Sequence, residues 1–143
     1  MKKIKLLISG LLLMIAGTMQ AQVVVTATIG NPPPWGPADA VGVRFYYIPD
    51  IQAYYDITDS RYIYMSGGHW IHSANLPHAH RDYDLYGGHK VALRDYHGEK
   101  PYENYKDHQK SYPRGYNKGV SQKTYGERPD KGHGGGDHGH DKK

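Results

Sequence analysis

Apolar and polar positions alternate along the middle of this chain. Val41, Val43, Phe45 and Tyr47 share one parity, with Gly42, Arg44 and Tyr46 between them; a period of two residues marks a β-strand. Pro49-Asp50 interrupts the run, and Ile51, Ala53, Tyr55 and Ile57 resume it. Thr58-Asp59-Ser60 reads as a turn and Arg61 to Met65 as the next strand. Ser66-Gly67-Gly68 reads as a hairpin turn, where glycine supplies positive φ. His69 to His72 returns. After the connector Asn75 to His80, Tyr83 to Tyr86 leads to a second Gly-Gly-His at 87–89, the same turn chemistry used again, and Lys90 to Asp95 is predicted to be a strand. Pro101 to His108 fits a short helix, with proline at its first position and Tyr102 and Tyr105 one turn apart. The pattern predicts a mainly β fold: a small antiparallel meander, either an open sheet or a partly open barrel, with at most one short helix and a disordered C-terminal tail.

The ends differ from the middle. Residues 1–21 join a basic start (Lys2, Lys3, Lys5) to an apolar run from Leu6 to Met19 and a small residue, Ala21. That order predicts a secretory signal peptide, too short for a comfortable membrane span and followed by no stop-transfer pattern. Residues 22–40 form an extended lead-in: a β-prone Val23 to Ile29, then Asn31-Pro32-Pro33-Pro34-Trp35-Gly36-Pro37, which stacked prolines hold in polyproline II. Its simplest role is a stiff strap whose Trp35 packs on the domain. Residues 41–114 are the Tyr-rich β domain. Residues 115–143 are rich in Gly, Lys, Asp and His and poor in aliphatics, so the segment is expected to stay disordered.

Composition then narrows the function. The chain carries a formal +4 charge, but three of its 18 basic residues lie in the leader, which holds no acid; the remainder, 15 against 14, is +1. Nucleic acid is therefore not an expected partner. The absence of cysteine excludes disulfides, thiolate metal sites, a cysteine nucleophile and an N-terminal lipid anchor. Fourteen tyrosines accompany two tryptophans and one phenylalanine. Tyrosine covers apolar neighbours with its ring and keeps its hydroxyl for water or a partner, so the sheet is expected to be half-wet on both faces. Tyr46, Tyr54, Tyr62 and Tyr64 are then a candidate contact surface for a glycan or an envelope protein, whereas Trp70 is predicted to be a core anchor.

Tyr46-Tyr47-Ile48-Pro49-Asp50 and Ala53-Tyr54-Tyr55-Asp56, followed by Gly67-Gly68-His69-Trp70 and Leu76-Pro77, form a recurring pattern. Pro34-Trp35-Gly36-Pro37 before it, Arg81 to Gly88 after it, then Pro101-Tyr102 and Tyr112-Pro113-Arg114-Gly115 extend it. From Pro32 to Gly115 the chain resembles a family of small exported bacterial proteins with this Tyr-rich sheet motif. The resemblance implies export and brings no activity or binding residues with it. His78 and His80 depart from the pattern, which has bulkier or aromatic residues there.

Ten histidines are the main candidates for chemistry. Neutral imidazole is the commonest metal ligand. His69 and His72 would point to opposite faces of a strand. His78 and His80 would share a face of extended chain, usable for copper, nickel or zinc. In the tail, His133, Asp137, His138 and His140 lie on a glycine-flexible stretch able to wrap such an ion. Catalytic patterns are missing: no Gly-x-Ser-x-Gly, no His-Glu-x-x-His, no Walker loop, and glutamate only at 99, 103 and 127. The sequence thus favours a non-catalytic interaction or structural module of the cell envelope, periplasmic or secreted and without a resident cofactor. Divalent-metal binding through the tail is the alternative, and a secreted hydrolase the third.

Overall fold

The structure, a computed structural model, describes residues 30–130. Five strands form one antiparallel sheet: β1 (Phe45–Ile48), β2 (Ala53–Asp56), β3 (Arg61–Ser66), β4 (His69–Ser73) and β5 (Val91–Ala92), in the order β4-β3-β2-β1-β5. The sheet is open, with β4 and β5 as its edges, so the barrel alternative is set aside and the meander stands. One helical stretch follows, a 3₁₀ turn at Pro101–Asn104 running into α1 (Tyr105–Ser111). Proline opens it, where a missing N–H costs nothing.

The tight turns explain the register. Between β1 and β2, Pro49–Ile51 makes a 3₁₀ turn and Gln52 takes φ 51°, so Ile48 faces Ala53 and Tyr47 faces Tyr54. Between β3 and β4, Gly67 and Gly68 have φ values of 57° and 81°, the two positive values that a two-residue hairpin matched to strand twist requires. The second Gly-Gly pair works differently. Gly87 and Gly88 do not have positive φ; a Cβ at Gly88 would collide with the Tyr83 phenol and one at Gly87 with the Asp84 carboxylate. These glycines admit a close approach and do not repeat the hairpin chemistry.

Three predicted strands shorten. The first begins at Phe45, not Val41; Gly42 at φ 74° turns the chain there, leaving Val41 exposed. The run predicted from Ile51 to Ile57 is reduced to Ala53–Asp56, because Ile51 belongs to the 3₁₀ turn. The strand predicted over Lys90 to Asp95 is reduced to Val91–Ala92, because Arg94 N–H turns back to the Ala92 carbonyl and Leu93 drops into the core.

Every residue of β1 and β2 is buried, on both faces. One face carries Tyr46, Ile48, Ala53, Tyr55 and Tyr62, covered by Trp35, Val43 and the loop residues Leu76, Tyr83, Leu85 and Tyr86. Trp35 sits 4.7 Å from Tyr55 and 6.1 Å from Tyr62, centroid to centroid, so the lead-in is the expected strap. The other face carries Phe45, Tyr47, Tyr54 and Ile63, covered by Leu93, Trp70 and the helical layer of Tyr102, Tyr105 and Tyr112. Trp70 stacks on Tyr102 at 4.8 Å and is half-buried: it seals the edge of this cluster and does not anchor its centre.

The disordered tail expected from residue 115 does not begin there. Residues 115–130 are placed, and 122–126 run antiparallel to the lead-in. Ala38 N–H donates to Lys123 O at 2.9 Å, Tyr125 N–H to Gly36 O at 3.0 Å, and Gly126 N–H to Pro34 O at 2.7 Å. The Gln122 amide brackets the backbone of Lys90, accepting from its N–H at 3.0 Å and donating to its C=O at 2.9 Å. Composition misleads here because backbone and amide hydrogen bonds, rather than aliphatic burial, hold this segment. Residues 131–143 lie outside the described range.

Candidate functional site

Tyr46, Tyr54 and Tyr62 do not form a contact surface. Their relative exposures are 0%, 0% and 8%, and Tyr64 is half-buried against the Trp35 cluster. The half-wet sheet was the wrong expectation: once chain covers both faces, the rings become core. Burial raises the phenol of Tyr46, Tyr54 and Tyr62 above its ordinary range and pushes that of Tyr47 up to about 12.

His78 and His80 lie in a 3₁₀ turn, not in extended chain, so they share no face. The Arg81 guanidinium stands 3.4 Å from His78 Nε2, an unfavourable neighbour for a cation. The turn and Asp82 line an open depression of about 410 Å³. His69 and His72 point to opposite sides of β4, as their spacing implies. Among the described residues no group of three or more His, Asp or Glu side chains is placed to hold a metal ion. His133, Asp137, His138 and His140 lie outside the described residues.

Residues from three distant segments converge on Asp50. Its carboxylate accepts from the Tyr83 hydroxyl at 2.8 Å and from Gly115 N–H at 2.8 Å. Arg114 donates to the Asp50 carbonyl at 2.8 Å and to Gln52 Oε1 at 2.9 Å. Pro49-Asp50-Ile51-Gln52, Arg81-Asp82-Tyr83 and Pro113-Arg114-Gly115, far apart in sequence, thereby become one knot. Asp56, almost fully buried, is likewise tied up by Arg44 at 3.0 Å and by Thr58 N–H at 2.9 Å. These carboxylates are committed to holding the scaffold.

A polar pocket of about 290 Å³ opens beside β5, lined chiefly by Asp39, His89, Arg94, Tyr112, Tyr116 and Gln122. The lead-in, the β5 edge, the turn after α1 and the 122–126 segment each supply part of its wall. Arg94 donates to the Asp39 carbonyl at 3.0 Å and to its carboxylate at 3.1 Å, and stays half-exposed at the rim. The His89 ring meets Tyr116 edge to face at 5.3 Å, and Tyr116 meets Tyr112 at 5.1 Å. His89 Nδ1 is buried without a partner among the described residues, and burial, with the Lys90 charge beside it, lowers the imidazole below its ordinary value. Behind it the Lys90 ammonium is buried and donates to the carbonyls of Leu85 and Gly88, each at 2.7 Å; burial brings its pKa down to about 8. Sequence reasoning missed this pocket because its walls come from separate segments with no common motif. The His89-Lys90 pair after Gly87-Gly88 is the only local hint.

Among the described residues no helix is long and apolar enough to cross a membrane. Comparison with protein-family models, with curated proteins and with solved structures gave no match, so the fold and this geometry stand on their own.

Proposed function

We propose that the chain is an exported, non-catalytic binding module of the cell envelope, and that its contact site is the pocket beside β5, taking a short stretch of glycan. The observation that supports this is the lining: two tyrosine rings, a half-exposed Arg94 paired with an exposed Asp39, and the Gln122 amide. A sugar presents C–H faces that pack on aromatic rings and hydroxyls that need both donors and acceptors, and this lining offers all three. Export rests on the basic start and apolar run of residues 1–21.

The test is an NMR titration of the mature protein with soluble peptidoglycan and lipopolysaccharide oligosaccharides. Shifts should concentrate at His89, Arg94, Tyr112 and Tyr116, and Arg94→Ala and Tyr116→Ala should each abolish them. Shifts confined to other surfaces, or retained in both variants, would refute the glycan site. A second reading, uptake of copper, nickel or zinc by the tail, rests on the spacing of His133, His138 and His140.

A further inference from the structure

The helical face of the sheet holds a tyrosine–histidine pair that the binding site does not use. The Tyr54 ring is fully buried at the middle of β2, and its hydroxyl lies 2.8 Å from His108 Nδ1 on α1. Most buried O–H groups donate to a partner, and His108 Nδ1 is the one the Tyr54 hydroxyl has among the described residues. The phenol therefore donates to Nδ1, and the imidazole carries its own proton on Nε2. Burial lowers the His108 imidazole below its ordinary value, against the nearby Asp107 charge; Tyr47 and Tyr54 are the titratable groups that face it from the sheet.

The surrounding rings form a path to the surface. Trp70 lies 5.9 Å from Tyr54 and stacks on Tyr102 at 4.8 Å with an interplanar angle of 11°. Both Trp70 and Tyr102 are half-exposed. The chain has no cysteine, so it offers no thiol to intercept an oxidant.

We propose that Tyr54 and His108 form a one-electron redox site, filled through Trp70. A one-electron oxidant, such as a photogenerated high-valent metal complex or a peroxide-derived radical, removes an electron from the Trp70 indole. Tyr54 then returns one electron to the indole radical cation and passes its phenolic proton to His108 Nδ1. The products are intact Trp70, a neutral tyrosyl radical and a His108 imidazolium still hydrogen-bonded to the phenoxyl oxygen. Reduction by one electron brings the proton back. Charge and atoms balance, and the buried interior never holds a bare phenol radical cation.

Neighbouring tyrosines lack one or other requirement. Tyr47 lies 5.1 Å from Tyr54, but its buried hydroxyl has no partner, so it cannot shed its proton. Tyr83 has a base in Asp50, yet it stacks with neither tryptophan among the described aromatic pairs.

The experiment oxidises the mature protein with a photoexcited ruthenium polypyridyl complex and a sacrificial acceptor, and reads the trapped radical by electron paramagnetic resonance. The expected product is a neutral tyrosyl radical coupled to one exchangeable proton, and its formation should slow in D₂O. Tyr54→Phe should lose that signal and leave a tryptophan radical; His108→Gln should lose the exchangeable coupling and the isotope effect. Trp70→Phe should slow radical formation without moving it. The wild-type spectrum tests the proposal even if a variant fails to fold. A tyrosyl radical without exchangeable coupling, or one unchanged in Tyr54→Phe, would overturn it.

Discussion

Hydroxyl groups divide the buried tyrosines into two kinds. Among the described residues the Tyr47 hydroxyl has no partner, whereas the Tyr54 hydroxyl has His108. Removing an unsatisfied buried group relieves a desolvation cost, while removing one half of a pair leaves the other half orphaned. Tyr47→Phe should therefore stabilise the protein by about 1 kcal/mol, and Tyr54→Phe should destabilise it by about the same amount. Urea denaturation of the two variants gives the comparison directly, and opposite signs are the expected result. Asp50 provides the charged case. Asp50→Ala strands the part-buried Tyr83 hydroxyl, while the exposed Gly115 N–H turns to water, and should cost about 1 kcal/mol in the same measurement. None of these partners could be read from the sequence. Tyr46, Tyr54 and Tyr62 looked like a contact surface because their spacing shows which side of a strand they take, not whether another layer covers that side.

At the level of elements, local signals were legible where the chain makes its own turn. Gly67-Gly68, the break at Pro49-Asp50 and the proline opening the helical stretch were all readable, because each depends on backbone geometry within a few residues. Strand length was not. Val91–Ala92 is short because Leu93 is drawn into a cluster built by distant residues. The glycine pairs offer a clean test of this difference. Gly67→Asn keeps a residue that tolerates the left-handed conformation and lowers the entropy of the unfolded chain, so stability should hold or rise by about 0.5 kcal/mol. Gly88→Ala drives a methyl into Tyr83 and should pull that ring off Asp50, lowering the thermal midpoint. Melting curves of the two variants should move in opposite directions or leave only the second displaced.

The whole molecule joins its ionisable groups into one pH response. Tyr46, Tyr54 and Tyr62 are raised by burial and Tyr47 is pushed up to about 12, against an ordinary value of 10.0. The folded state keeps protons that the unfolded chain releases above pH 10, so this stability is complete below pH 10 and is lost as pH rises through the raised values. Lys90 acts in the opposite sense. Its pKa falls from 10.5 to about 8, so over that interval the unfolded chain binds the extra proton and stability rises with pH. The thermal midpoint should hold or climb from pH 8 to 10, then fall steeply, with phenolate absorbance appearing as the protein unfolds. The tail adds a second test at this scale. Deleting everything after Asp130 should remove metal uptake, if the tail carries it, and leave the thermal midpoint unchanged. Deleting everything after Tyr116 should lower the midpoint as well, because it takes away Gln122 and the strand-like pairing with the lead-in. Calorimetric titration with copper or nickel, run on both truncations, separates the two effects. Which part of the tail packs was illegible because its contacts are backbone and polar side-chain hydrogen bonds to distant segments, which leave no apolar pattern.

The pairing of Pro37 with Thr124 also has a kinetic meaning. All five strands of the sheet have been synthesised by residue 92, yet the backbone ladder over the strap bearing Trp35 forms only when residues 122–126 arrive. Until then the cover over Tyr46, Tyr55 and Tyr62 is held by Trp35 packing and the Arg94–Asp39 pair without that ladder. Nearly the full described length must close into a loop before that last ladder forms, and such closures slow folding. A nascent chain stopped short of Gln122 is thus a meander with an unsecured aromatic face, the kind of surface that holdases grip and that aggregates when they do not. The ladder that closes the cover is therefore the last part of the described structure to be made, well behind the strands it protects.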